Sequence, residues 1–171
     1  SLPYRLSETI DETEKLILNS PQKLKGMYNI ETCVLSEVVS IDRKGKKVRV
    51  KDLVNQREYE EHYDKLILSP GAYAVVPPIK GIEGANLFTI KNVVDIDRFY
   101  TFLKTGDVKK VSVAGGGFIG VEVAVNLREA GYEVSLVEAM PQILRTYDYD
   151  MVQILQKEMV DKGVELIVED Q

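Results

Sequence analysis

Val111-Ser112-Val113-Ala114-Gly115-Gly116-Gly117-Phe118-Ile119-Gly120-Val121-Glu122 is the stretch that decides the fold. An apolar strand runs into Gly115-x-Gly117-x-x-Gly120, and a helical pattern follows. A second short strand, Glu133 to Val137, ends at Glu138. Each glycine has its own physical task. Gly115 permits the tight turn out of the strand, Gly117 lets backbone approach a pyrophosphate, and Gly120 lets the helix pack close to the strand. The helix start then offers unpaired N–H groups and a positive dipole end to phosphates. Glu138 lies 18 residues beyond Gly120. A carboxylate there accepts hydrogen bonds from both hydroxyls of an adenosine ribose and repels a 2′-phosphate, which favours NADH over NADPH. The competing reading is the glycine-rich turn of a methyltransferase-like domain; the third glycine and the tight spacing argue against it.

On the C-terminal side, a helix is predicted from about Asp150 to Lys162 and a third strand from Val164 to Val168. Residues 110–169 therefore read β-α-β-α-β, one mononucleotide half of a doubly wound sheet. On the N-terminal side, Asn92-Val93-Val94-Asp95 is a capping pattern for a helix through Phe102. Residues 73–86 hold two prolines and two glycines, so they are expected to be irregular. Lys65-Leu66-Ile67-Leu68-Ser69 reads as a short buried strand ended by Pro70-Gly71. Val34 to Asp42, Lys47 to Leu53 and Arg57 to Tyr63 form an antiparallel meander, with turns at Lys44-Gly45-Lys46 and Asn55-Gln56. Residues 11–19 and 22–28 are short helical pieces broken at Ser20-Pro21. The half sheet and the unpartnered 65–69 strand lead us to expect a piece of a larger protein.

The composition narrows the classes. A net charge of −5 provides no basic face for nucleic acid. No apolar run approaches the ~20 residues needed to span a bilayer, and the first residues lack a signal-peptide layout. One cysteine excludes an intramolecular disulfide, so a cytoplasmic protein is the expectation. No metal-ligand pattern is present.

The order of meander, Ser69-Pro70-Gly71-Ala72, prolines and fingerprint resembles the flavin-dependent pyridine nucleotide–disulfide oxidoreductases. Within them it is similar to the branch of NADH oxidase, NADH peroxidase and coenzyme A–disulfide reductase. The segments that carry the resemblance are Leu2-Pro3-Tyr4, 36–42, 63–72, Pro77-Pro78-Ile79-Lys80-Gly81 and Gly115 to Glu122. The resemblance implies an α/β fold in which a Rossmann-like dinucleotide-binding unit (109–171, the first half of an NAD fold) follows a partial FAD-binding domain with its β-meander (1–108). It implies a homodimeric parent that moves a hydride from NADH to FAD and on to a disulfide, peroxide or oxygen acceptor. The family's redox cysteine and FAD fingerprint would lie upstream, so no catalytic residue is assigned in this chain, and the isolated chain is expected to be inactive. The alternative is a stand-alone NADH-binding regulatory module, on which the meander and the Ser-Pro-Gly-Ala segment have no explanation.

The residues expected to bind NAD are Gly115, Gly117, Phe118, Ile119, Gly120, Glu122, Glu138 and Tyr147. By resemblance, Glu122 sits toward nicotinamide and flavin, and Tyr147 near the adenine, where a ring buries a base face. Val38, Ser69, Gly71 and Ala72 are the FAD-side candidates. Arg145 is a possible partner for a 2′-phosphate, opposed by Glu138. Cys33 reads as a small packed residue rather than a redox thiol. Tyr100-x-x-x-Lys104 reads as one helix face, and His62 as a polar strand residue.

Overall fold

The structure, a computed structural model, describes residues 2–84 and 86–170. Ser1, Ala85 and Gln171, which belong to the stretches assigned above, lie outside the described residues. The chain divides into two compact units, residues 18–72 and residues 1–17 with 73–171.

In the first unit, helix α1 spans Pro21–Tyr28. The Ser20-Pro21 break is its start: the Ser20 side chain accepts the Lys23 N–H at 3.1 Å, and proline fills the first helical position, where no N–H is needed. Asn29, at φ 53°, closes it in the left-handed conformation. Strands β1 (Ser36–Asp42), β2 (Lys47–Asp52) and β3 (Arg57–His62) form the expected antiparallel meander, with Val38 opposite Val50 and Val50 opposite Tyr59. Only Val48 and Val50 of its strands are buried, two positions apart and so on one face.

Both hairpin turns use the same device. Asp42 Oδ1 accepts the N–H groups of Lys44 and Gly45, and Asp52 Oδ1 accepts those of Val54 and Asn55. Lys46 and Gln56 then take the positive φ that returns the chain. Asp52 also receives the Asn55 side-chain amide at 2.6 Å and Arg57 Nε at 3.3 Å.

The structure corrects the reading of 65–69. No strand forms there, and Ile67 and Leu68 are largely exposed. Among the described residues nothing pairs with this segment, and a strand without a neighbour has no ladder to hold it. Cys33 is likewise exposed, in the loop before β1, rather than packed as expected.

In the second unit, helix α2 (Val93–Thr105) starts at a full capping box: Asn92 Oδ1 accepts the Asp95 N–H, and Asp95 Oδ2 accepts the Asn92 N–H. It buries Ile96, Phe99 and Leu103, one face at helical spacing. Strands β4 (Lys110–Ala114), β5 (Glu133–Glu138) and β6 (Val164–Val168) lie parallel in that order. Helices α3 (Phe118–Glu129) and α4 (Tyr149–Asp161) make the crossovers. The core joins α2 and Leu6 to Val121, Ala124 and Leu127 of α3, Leu136 of β5 and Met159 of α4.

The expected boundary at 108 therefore does not coincide with a compact unit, because residues 2–17 and α2 share this core. Ser7 Oγ lies 2.6 Å from Oδ1 of the buried Asn126 on α3, and Arg5 stacks on Tyr100 at 3.7 Å. Tyr100 and Lys104 are one helix face, as expected, and both reach Glu8, at 2.8 and 2.6 Å. The Lys104 ammonium holds the Glu8 carboxyl below the usual range. No helix among the described residues is long and apolar enough to cross a membrane.

The Asn55 amide, together with the turn N–H groups and Arg57, lowers the Asp52 pKa from 3.8 to about 2. Folding thus favours the ionised form, and this stabilisation is whole above the unfolded value and disappears as pH falls through about 2. Asp52→Ala should lower the denaturant midpoint at neutral pH, and its gap to wild type should close as the pH is brought down to about 2. A gap independent of pH would mean that the carboxylate's charge is irrelevant to the turn.

Candidate nucleotide site

The site grows from the end of β4. Gly115 continues the ladder by donating its N–H to Val137 O at 2.8 Å, then turns at φ 102°, a left-handed conformation that side chains oppose. The chain doubles back so tightly that a Cβ on Gly120 would stand 1.9 Å from Gly115 O. Gly117 differs: a Cβ there would meet nothing within 4 Å, so its bare side faces open space. As the N-cap of α3 it has no side chain to offer, which leaves the first-turn N–H groups without side-chain caps.

Glu138, half-buried at the end of β5, reaches back to this turn. Its Oε2 accepts the Gly116 N–H at 2.7 Å and its Oε1 the Met140 N–H at 2.9 Å. Gly116 carries more than this one contact. Its carbonyl accepts the Leu144 N–H at 2.8 Å. A Cβ on it would lie 2.6 Å from Cγ2 of the fully buried Ile143 and 3.2 Å from Glu138 Cβ. The glycine turn, the acid and the loop after β5 are thus one knot around Gly116.

Phe118 and Ile119, at the start of α3, are more than half exposed. Phe118 meets the exposed Tyr147 edge-on, with centroids 5.8 Å apart. Glu122 is half-buried on the first turn and half of α3. A cleft of about 630 Å³ runs along the outer edge of β4 and the glycine turn, walled by Phe88, Phe99, Val113, Phe118 and Ile119. A smaller groove of about 360 Å³ lies between the C-terminal ends of α3 and α4, at the other edge of the parallel sheet.

All eight residues expected to bind NAD therefore gather at the C-terminal edge of β4 and β5. The four FAD-side candidates lie in the other unit. Val38 is exposed beside the β1 bulge, and Ser69, Gly71 and Ala72 are exposed on irregular chain, with Gly71 at φ 73°. His62 ends β3, exposed. Sequence reasoning missed Gly116, Ile143 and Leu144. The signal was present: the fingerprint requires no glycine at its second position, and this chain has one.

A family model described as pyridine nucleotide-disulphide oxidoreductase matches residues 3–171. The chain belongs to this family. It is 31% identical over 169 residues to an NADH oxidase of Methanocaldococcus jannaschii, covering 98% of this chain and 38% of that one. It is 33% identical over 159 residues to a coenzyme A disulfide reductase of Staphylococcus aureus, covering 93% and 36%. The chain thus spans little more than a third of the length of these relatives. Reduced CoADR-RHD of Bacillus anthracis shares 42% identity, with a TM-score of 0.93 over 99% of this chain and 30% of that one. The engineered water-forming NADPH oxidase TPNOX, a mutant of the Lactobacillus brevis NADH oxidase LbNOX, was solved with NADPH and shares 27% identity, TM-score 0.88, over 99% and 37%.

Gly116→Ala should destabilise the protein by ~1–3 kcal/mol, the usual cost of overpacking, and should cost less when introduced into Ile143→Ala than into the wild type. Gly120→Ala collides with backbone, so Ile143→Ala should not rescue it. Thermal unfolding of the three single variants and the two double variants checks both statements.

Proposed function

We propose that this chain holds the adenosine–pyrophosphate half of NADH in a flavoprotein that passes a hydride from NADH to FAD and on to a disulfide, peroxide or oxygen acceptor. The observation that carries the reading is the fixed carboxylate of Glu138 beside an open glycine turn and an uncapped helix start. Gly117 fits a pyrophosphate, since the space where a Cβ would stand is free and the first-turn N–H groups of α3 are the natural donors to an anion. Each oxygen of Glu138 gives one lone pair to a backbone N–H and keeps another for a ribose hydroxyl. Phe118, Ile119 and Tyr147 supply exposed apolar surface beside the turn. Glu122 is assigned to the nicotinamide side by family likeness. Bound nicotinamide supplies the hydride; the chain's part is to bind and orient it.

The assignment of 1–108 to a flavin scaffold and 109–171 to the nucleotide unit is a division by ligand, with Val38, Ser69, Gly71 and Ala72 toward FAD. The redox cysteine of the whole protein, its homodimeric state and its cytoplasmic location belong to the same proposal.

Preference for NADH over NADPH has support from a comparison of residue types. The replacements that turn LbNOX into TPNOX fall on a glycine, an aspartate eighteen residues later, the alanine and methionine that follow, and a proline five residues further on. Gly120, Glu138, Ala139, Met140 and Arg145 stand at the same spacings here. TPNOX exchanges the glycine and the acid for alanine, whereas this chain keeps both types.

Titration calorimetry should find NADH bound more tightly than NADPH. Glu138→Ala should weaken NADH binding by roughly ten- to a hundredfold, the scale of a hydrogen-bonded charge at ~1.4 kcal/mol per decade. It should also lower the melting temperature, because two backbone N–H groups lose their acceptor. Unchanged NADH affinity in that variant would remove the role given to the acid.

A further inference from the structure

Gln156 is a polar residue on an apolar row. On α4 it stands between Val152 and Met159, both buried in the core, at the four- and three-residue steps that bring side chains to one helix face. It is half-buried there, a position that an aliphatic side chain would ordinarily fill. The amide has a different task. Its Oε1 accepts the backbone N–H of Ile143 at 3.3 Å, and its Nε2 donates to Gln153 Oε1 at 3.4 Å. Ile143 is fully buried in the loop between β5 and α4, so its N–H is out of reach of water and depends on an internal acceptor. Gln153, three residues earlier on the same helix face, fixes which way the Gln156 amide points. The Gln153 oxygen takes the Gln156 donor, so the Gln156 oxygen faces the loop. Gln153 Nε2 is left buried without a partner among the described residues. The unsatisfied donor thus falls on the helix side chain, and the loop N–H is satisfied.

Ile143 Cγ2 closes over Gly116, where a Cβ would stand 2.6 Å away, and the next residue, Leu144, donates its N–H to Gly116 O at 2.8 Å. The N–H of the same glycine is held by Glu138 Oε2 at 2.7 Å. Gln156, Ile143, Gly116 and Glu138 therefore form one line of contacts from α4 to the acid beside the open glycine turn. We propose that Gln156 is a positioning residue for the adenosine–pyrophosphate half of the dinucleotide, acting through Ile143 and Gly116 rather than on the ligand itself. The proposal rests on the dinucleotide reading above. Without the amide oxygen, the Ile143 N–H has no acceptor, and the loop is driven to open toward water. Opening loosens the contacts of Ile143 and Leu144 with Gly116, and so the setting of the turn against Glu138. A nucleotide must then restore the closed loop, and its affinity falls by the fraction of molecules that keep it closed. A purely structural role for Gln156 would lower the melting temperature and leave the affinity of the folded protein untouched.

The test is titration calorimetry with NADH and with ADP-ribose on the full-length protein, at a temperature well below the melting of every variant. Gln156→Met keeps the length of the side chain and removes its polar atoms. It should weaken both ligands by the same factor, about fivefold, the scale of one neutral hydrogen bond. The factors should be equal because ADP-ribose carries the whole adenosine–pyrophosphate half and no nicotinamide. Gln156→Glu keeps an acceptor for the Ile143 N–H and lets the Gln153 amide turn its unpaired Nε2 to the new carboxylate, so it should bind both ligands as the wild type does. Gln153→Leu leaves Gln156 its oxygen but frees the amide to turn; it should fall between wild type and Gln156→Met, and it carries the test if Gln156→Met does not fold. Wild-type affinity in Gln156→Met, or in Gln153→Leu where that variant stands in for it, would overturn the proposal. So would a loss in Gln156→Glu as large as in Gln156→Met, or a loss for NADH with none for ADP-ribose. A wild type that binds neither ligand would overturn the dinucleotide reading itself, and the proposal with it.

Discussion

The N–H of Gly116 meets a Glu138 oxygen at 2.7 Å, its carbonyl takes the Leu144 N–H at 2.8 Å, and its bare Cα faces the buried Ile143. These contacts bind three segments distant in sequence: the turn after β4, the end of β5 and the loop that leads to α4. The acid has a fixed orientation because both its oxygens have backbone donors. Its charge is therefore part of the architecture, and a substitution there leaves two backbone N–H groups without their acceptor.

The same economy appears in the meander. Two aspartates at strand ends, Asp42 and Asp52, fold the hairpins by accepting turn N–H groups that the ladder leaves unpaired. Register then follows from the turns. With only Val48 and Val50 buried among the strand residues, hydrophobic burial contributes little here, and the hydrogen-bonded turns carry more of the specification.

Residues 2–17 are tied to the nucleotide unit by contacts of several kinds. Leu6 enters the core, Ser7 satisfies the buried Asn126, and Glu8 gathers Tyr100 and Lys104. Arg5 is buried against Tyr100 with its Nε unpaired among the described residues, and the stacking contact together with the Nη1 hydrogen bond to Asp11 O at 2.9 Å offsets its desolvation. A segment far from the fingerprint in sequence thus becomes part of the body on which the fingerprint sits.

The sequence by itself determined the elements whose causes are local. The strand–glycine–helix order, the capping box at Asn92, the Ser20-Pro21 helix start and the alternation of the meander all rest on contacts within a few residues, and their chemistry is legible in the letters. That most of the eight candidate residues lie together was legible for the same reason, since the glycine turn and the helix and strand beside it place all of them but Tyr147. Tertiary structure alone decided what depends on distant partners. Gly116 has its role only where Ile143 and Glu138 stand beside it, and the compact unit runs across residue 108 because Leu6 and α2 enter one core with α3. Leu66 to Leu68 show the converse: an apolar run has the pattern of a strand, but a strand exists only when another supplies the hydrogen bonds, and that partner is not written in the run itself.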